Sequence, residues 1–265
     1  MSPPPEASVR SGPVKHVLVV AYHTPPAGGI PVRRVLRFLR HLPRRGLRCS
    51  LLTAQSPYDP YHPNDPEGVA AVDALPLERT LRAPSRSGVE KVAALGFRGL
   101  RTLSEWFSAR GAPPSEAAPT DVGAGRVRRI LGNTLFFPDP KRGWSRAALR
   151  AGLDLARDDP FDAIFATGYP WSALVLGSEL AAATETPWVA DLRDAWVDNP
   201  RGLFASARHR SLERRVLGSA AQIVTATHGI ECALRERYGA DLPPIETLYT
   251  GFDREETAAL EAPVE

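Results

Sequence analysis

Lysine is scarce in this chain. Only Lys15, Lys91 and Lys141 occur among 33 basic residues, so the rest of the positive charge is arginine. Set against 30 acidic residues it leaves a net charge of +3. That balance excludes a nucleic-acid binder selected by overall charge. The arginine excess, with abundant alanine and 26 prolines, fits a GC-rich coding bias rather than a functional demand. Cysteine is nearly absent too. Cys49 and Cys232 lie far apart, with neither metal-ligand spacing nor a disulfide framework. Both read as single buried thiols of a reducing, cytoplasmic compartment. Residues 1–13 hold no apolar run, so no secretory signal is expected there. No stretch approaches the roughly 20 apolar residues that span a bilayer. Any membrane contact is therefore expected to be peripheral, at the inner face. The dinucleotide pattern G-x-G-x-x-G is missing as well, since the next glycine after Gly29 is Gly46. That counts against a nicotinamide dehydrogenase.

Apolar residues make up 43% of the chain, enough for a substantial core. Residues 1–13 read as a disordered, Pro- and Ser-rich tail. Val17 to Ala21 is a continuous, β-branched apolar run of the kind found in buried parallel strands. A Pro25-Pro26-Ala27-Gly28-Gly29 turn follows. Val32, Val35, Leu36, Leu39 and Leu42 then recur at helical spacing, and Leu47 to Thr53 reads as a second strand. Residues 54–85 read as an insertion or long loop, and 111–125 as a linker. Between them a helical stripe at 89–107 carries Arg98 and Arg101 beside its apolar positions. It fits a helix packed on its own domain, and it also admits contact with lipid headgroups. From residue 144 the rhythm returns: helix, strand 161–167, helix 171–183, strand 187–192, helix 205–218, strand 222–226 and helix 229–238. Leu248 to Phe252 reads as a last strand or linker. This alternation predicts an α/β fold, a doubly wound parallel sheet with helices on both faces.

Three turns at strand ends carry the candidate chemistry, because ligands of open α/β sheets bind at that edge. Gly28, Gly29 and Ile30 join the first strand to a helix N-terminus. Backbone N–H groups and the helix dipole favour a phosphate there; equally, a tight turn simply needs glycine. Gly168 and Tyr169 end the strand at 161–167. An aromatic there could stack on a sugar, or Tyr169 and Trp171 could anchor the core. Asp191, Arg193 and Asp194 end the strand at 187–192. They offer carboxylates for a reacting hydroxyl and a guanidinium for a leaving anion; the plainer alternative is a local Asp–Arg pair that shapes the loop. His23 lies at another strand tip. Trp144 and Trp196 read as packing anchors. Arg208, Arg210, Arg214 and Arg215, interrupted by Glu213, read as a solvated face.

The Pro25-Pro26-x-Gly28-Gly29-Ile30 turn resembles the N-terminal domain of family-4 glycosyltransferases of the GT-B fold. Pro138-Asp139-Pro140-Lys141-Arg142-Gly143-Trp144 is similar to the same family. Asp191-Leu192-Arg193-Asp194-Ala195-Trp196 resembles its D-F-R-D-P-W. Glu213 to Leu217, followed by Ala220 to Ala226, resembles E-x-x-x-L…A-D-x-I-V-T. Tyr249-Thr250-Gly251-Phe252-Asp253 resembles the closing P-N-G-x-D. The order of these motifs over residues 15–254 matches the family. Thr250 and Ala195 stand where it usually has Asn and Pro.

The resemblance implies a Rossmann-like half of a GT-B enzyme over 14–254, with 255–265 as a tail where a second domain would begin. It implies transfer of a sugar from a nucleotide-diphosphate sugar to a hydroxyl acceptor, a saccharide or glycolipid. Catalytic roles would fall to Asp191, Arg193 and Asp194. Gly28, Gly29, Ile30, Gly168 and Tyr169 would contact donor phosphate or acceptor. No metal, cofactor or nucleic-acid partner is implied beyond the nucleotide-sugar co-substrate. The family's second domain, with its E-x7-E pair, is not found before Glu265. The alternatives are a non-catalytic or split half-enzyme needing a separate donor-binding domain, and another GT-B enzyme such as a nucleotide-sugar epimerase.

Overall fold

A computed structural model describes residues 15–55, 72–85, 137–197 and 206–251. The tail at 1–13, the stripe at 89–107 with Arg98 and Arg101, the linker at 111–125 and residues 255–265 lie outside the described residues.

The first apolar run forms β1, His16–Ala21, buried along its whole length. Its side chains alternate between two cores, as strand geometry requires. Leu18 and Val20 join Leu52 and Trp144 in one layer, while Val17, Val19 and Ala21 meet Val35 and Leu39 in the other. Both faces are apolar because helices cover both. Helix α1, Ile30–Arg44, supplies Val35 and Leu39. Gly29 precedes it at φ 92°, a left-handed conformation that favours glycine.

Strands β2 (Arg48–Ala54), β3 (Arg79–Ala83), β4 (Ala163–Gly168), β5 (Trp188–Leu192), β6 (Gln222–Thr225) and β7 (Ile245–Thr247) complete one parallel sheet. The order is β3-β2-β1-β4-β5-β6-β7. From β1 the chain winds outward through β2 and β3, then returns to build β4 to β7 on the other side. That reversal puts a crevice at the C-terminal ends of β1 and β4. Helices α2 (Arg142–Asp158), α3 (Trp171–Thr184), α4 (Ala207–Gly218) and α5 (His228–Tyr238) connect the strands. Helix α3 lies very close to β4: a Cβ added at Gly177 would stand 2.5 Å from the Ala166 Cβ.

The sheet is thus the Rossmann-like, doubly wound layer read from the sequence. Two details differ. The stretch read as a loop over 54–85 contains β3, an edge strand whose Arg-Thr-Leu-Arg-Ala sequence is half exposed and lacks a buried run. The last strand is Ile245–Thr247; of the stretch read as a last strand or linker, Leu248–Gly251 follows it outside any strand, with Leu248 and Tyr249 exposed.

Asp139 explains why the Pro138–Trp144 segment sits where it does. Its buried carboxylate accepts from Ser172 N (2.6 Å), Ser172 Oγ (3.1 Å) and Lys141 N (2.7 Å). It therefore caps the first turn of α3, where backbone N–H groups lack helical partners. Trp144, fully buried, donates from Nε1 to the Thr53 carbonyl at 3.3 Å. Trp196 stacks on Trp171 with ring centroids 5.0 Å apart, both buried.

Candidate active site

Strand register brings the predicted turns to one edge. Ala21 pairs with Thr167, and Gly168 with Leu192, so β1, β4 and β5 end side by side. The Gly28–Gly29 turn, Gly168–Tyr169 and Asp191–Asp194 leave the sheet from these neighbouring ends. Two guanidinium groups fasten them.

Arg34, in α1, is buried and grips Asp191 with two nitrogens: Nε to Oδ2 at 3.2 Å and Nη2 to Oδ1 at 2.7 Å. Thr167 also donates to Asp191 Oδ2, at 2.7 Å. Asp191 is fully buried, and both of its oxygens are occupied. Planar, two-pronged pairing of this kind is specific to arginine and adds direction to charge attraction. The plainer alternative read from the sequence was a local Asp–Arg pair at this strand tip. The ion pair instead runs to Arg34, 157 positions away. Arg34 was legible only as one of several arginines on an amphipathic helix. The available signal was an arginine in the first turns of the helix after the glycine turn, able to face an aspartate at a neighbouring strand tip.

Arg193 points the other way. Its Nε donates to the Gly168 carbonyl at 2.8 Å and its Nη2 to the Tyr169 carbonyl. Its Nη1 is buried without a hydrogen-bond partner among the described residues. Burial pulls the Arg193 guanidinium below its usual pKa; the carboxylates of Asp191 and Asp194 oppose that shift, and Arg34 adds to it. Asp194, next in the chain, is exposed.

Gly168 is buried and Tyr169 half-buried. The Tyr169 ring lies between His23, near parallel at 6.4 Å, and the edge of Trp171 at 5.7 Å. Trp171 is fully buried, so of the two aromatics only Tyr169 can meet a ligand. Gly28 and Gly29 are half-buried, and Ile30 opens α1. The first turn of α1 contains no acidic residue and Gly29 offers no side-chain cap. That helix end therefore keeps its partial positive charge.

Away from this edge, Arg208, Arg210, Arg214 and Arg215 are exposed on α4. Glu213 does not share their face. It is buried, accepting from Tyr238 Oη (2.6 Å), Arg237 Nη1 (2.9 Å) and Val197 N (3.3 Å). Cys49 is buried but Cys232 is exposed, which corrects the reading of both as buried thiols. Among the described residues no group of three His, Cys, Asp or Glu could hold a metal ion, and no helix is long and apolar enough to cross a membrane.

The glycosyl transferase 4-like domain family matches residues 28–251. No curated protein matches. Among solved structures, the chain is similar to Anabaena Alr3699/HepE in complex with UDP and glucose. That match has 14% identity and a TM-score of 0.47, over 91% of this chain and 46% of that one. It is also similar to sucrose-phosphate synthase from Thermosynechococcus elongatus, at 14% identity and a TM-score of 0.47 over 93% of this chain and 94% of that one. Glycyrrhiza uralensis UGT73P12, complexed with glycyrrhetinic acid 3-O-monoglucuronide, is 12% identical with a TM-score of 0.44, over 90% of this chain and 48% of that one. The chain thus spans about half the length of the Anabaena and Glycyrrhiza proteins. Identities this low say nothing of substrate.

Proposed function

The chain belongs to the glycosyl transferase 4-like domain family, and from that premise we propose that it forms the acceptor-side half of a GT-B glycosyltransferase. In this reading it moves a hexosyl group from a nucleotide-diphosphate sugar to a hydroxyl on a saccharide, glycolipid or natural product. The work fits cytoplasmic assembly of cell-envelope polysaccharide, with peripheral contact at the inner membrane face. A second, donor-binding domain completes the site.

One observation carries the proposal. At the switch-point edge, Arg193 is fastened to the Gly168–Tyr169 turn while Asp194, one residue on, stays exposed. A carboxylate and a cation are thereby held side by side at the strand tips. During transfer the sugar's anomeric carbon leaves the diphosphate oxygen and bonds the acceptor oxygen. The acceptor proton passes to Asp194, acting as general base. The negative charge growing on the diphosphate is met by the Arg193 guanidinium and by the N–H groups around Gly28, Gly29 and Ile30. Tyr169 lines the acceptor side. Asp191, buried and bonded to Arg34 and Thr167, positions the turn and does not itself meet the hydroxyl.

The phosphate contact is testable on the chain itself. Titrating isotope-labelled protein with inorganic pyrophosphate should move the amide resonances of Gly28, Gly29 and Ile30. The Gly29→Val variant forces a β-branched residue toward φ 92°, a conformation such residues avoid. It should lose those shifts while keeping the rest of its spectrum. Shifts confined to other regions would contradict this placement of the leaving group.

A further inference from the structure

We propose that Arg34 is a positioning residue that couples the segment Leu248–Gly251 to the β5 tip carrying Arg193 and Asp194. The coupling is geometric. It rests on the sugar-transfer reading only for what that tip does.

Every nitrogen of the Arg34 guanidinium is engaged, and on two separate pieces of chain. Nε and Nη2 hold Asp191. Nη1 donates to the Leu248 carbonyl at 2.9 Å and to Thr250 Oγ1 at 3.0 Å. The side chain is only 4% exposed, so water cannot readily replace these partners. A buried, unpaired donor or charge is costly, which keeps both grips closed together.

The far grip falls where the sheet lets go. Leu248 N donates to the Thr225 carbonyl at 2.9 Å, after β7 has ended at Thr247. Beyond it the segment is held by side chains of α1: Arg34 on Thr250, and Arg37 on the Gly251 carbonyl. Leu248 and Tyr249 are 48% and 66% exposed. A groove of about 180 Å³ runs between them and α1, lined by Arg34, Arg37, Phe38 and His41. Any displacement of this segment relative to the sheet would pull on Arg34. A guanidinium is rigid and planar, so displacing Nη1 tilts Nε and Nη2 against the Asp191 carboxylate. Asp191 is two residues from Arg193 and three from Asp194.

A lysine would keep the charge and could pair with Asp191. It has no fork with which to hold both pieces in one plane. Coupling, unlike neutralisation of Asp191, should therefore be lost in Arg34→Lys.

The test needs no substrate, so its failure and the failure of the sugar-transfer reading are distinguishable. Thr250→Val removes the exposed acceptor for Nη1 and leaves the core untouched; Thr250→Ser keeps the acceptor. Amide resonances of Asp191, Leu192, Arg193 and Asp194 are read in the labelled full chain. Thr250→Val should shift them and speed amide exchange at Arg193 and Asp194 several-fold, whereas Thr250→Ser should not. In an Arg34→Lys background, Thr250→Val should leave the tip resonances where Arg34→Lys alone puts them. An unmoved tip in Thr250→Val, or equal shifts in Val and Ser, would overturn the proposal. So would a Thr250→Val shift that survives Arg34→Lys. If Arg34→Lys does not fold, the Val–Ser comparison decides alone.

Discussion

Asp191 is buried and fully bonded, while Asp194, three residues later, is exposed. The sequence shows both as carboxylates at a strand tip and cannot separate them. What separates them is Arg34, supplied by a helix 157 positions away. Long-range pairing of that kind leaves no local pattern to read. Arg193 was legible as a candidate, but its grip on the Gly168 and Tyr169 carbonyls was not, because backbone acceptors carry no signature in sequence. The different surroundings predict different variants. In a chain completed by a donor domain, Asp194→Asn keeps the size of the side chain but removes its basicity. It should lower kcat by roughly 10²-fold or more with little change in acceptor KM or in melting temperature. If melting temperature and activity fall together, Asp194 shapes the loop and does not meet the reacting hydroxyl.

Elements differ in how plainly they announce themselves. Strands β1, β4 and β5 are short apolar runs because both faces are covered, and helices α1 and α3 follow them at ordinary spacing. Edge strand β3 was missed because half exposure lets it carry Arg79 and Arg82. The joint between α2 and α3 was visible only as a Pro138–Trp144 motif of unspecified purpose. Asp139 gives it one, and its environment has a measurable consequence. Burial pushes the Asp139 carboxyl up to about 6 from 3.8, although the Ser172 and Lys141 N–H groups pull it back in part. The folded protein therefore binds this proton more tightly than the unfolded chain does. The contribution of Asp139 to stability is greatest below about pH 4, falls as the pH rises towards 6, and is level above that. Relative to Asp139→Asn, the parent chain should lose on the order of 3 kcal/mol between pH 4 and pH 7. Urea midpoints of both proteins across that range measure it. A difference that does not vary with pH, or that grows in the parent's favour as pH rises, would contradict this account.

At the scale of the whole molecule, alternating strands and helices sufficed to give the parallel sheet, and the ordered motifs sufficed to place the family. The winding order was not legible, because pairing partners are chosen by packing across the sheet rather than by neighbouring residues. That order, β3-β2-β1-β4-β5-β6-β7, makes one edge of the molecule the place where the proposed chemistry falls. It brings the glycine turn, Gly168–Tyr169 and Asp191–Asp194 to adjacent strand ends. In the proposed enzyme a second domain would supply most of the donor affinity, and this edge the acceptor side of a shared cleft. The decisive measurement is a transfer assay on the purified chain, read by mass spectrometry with a panel of nucleotide-diphosphate sugars and hydroxyl acceptors. It is run with and without a donor-binding domain, supplied in trans or by fusion. The account predicts no transfer by the chain alone, and transfer once the donor domain is present that Asp194→Asn abolishes or strongly reduces. Robust transfer by the chain alone, or transfer in the completed enzyme that is indifferent to Asp194, would contradict it.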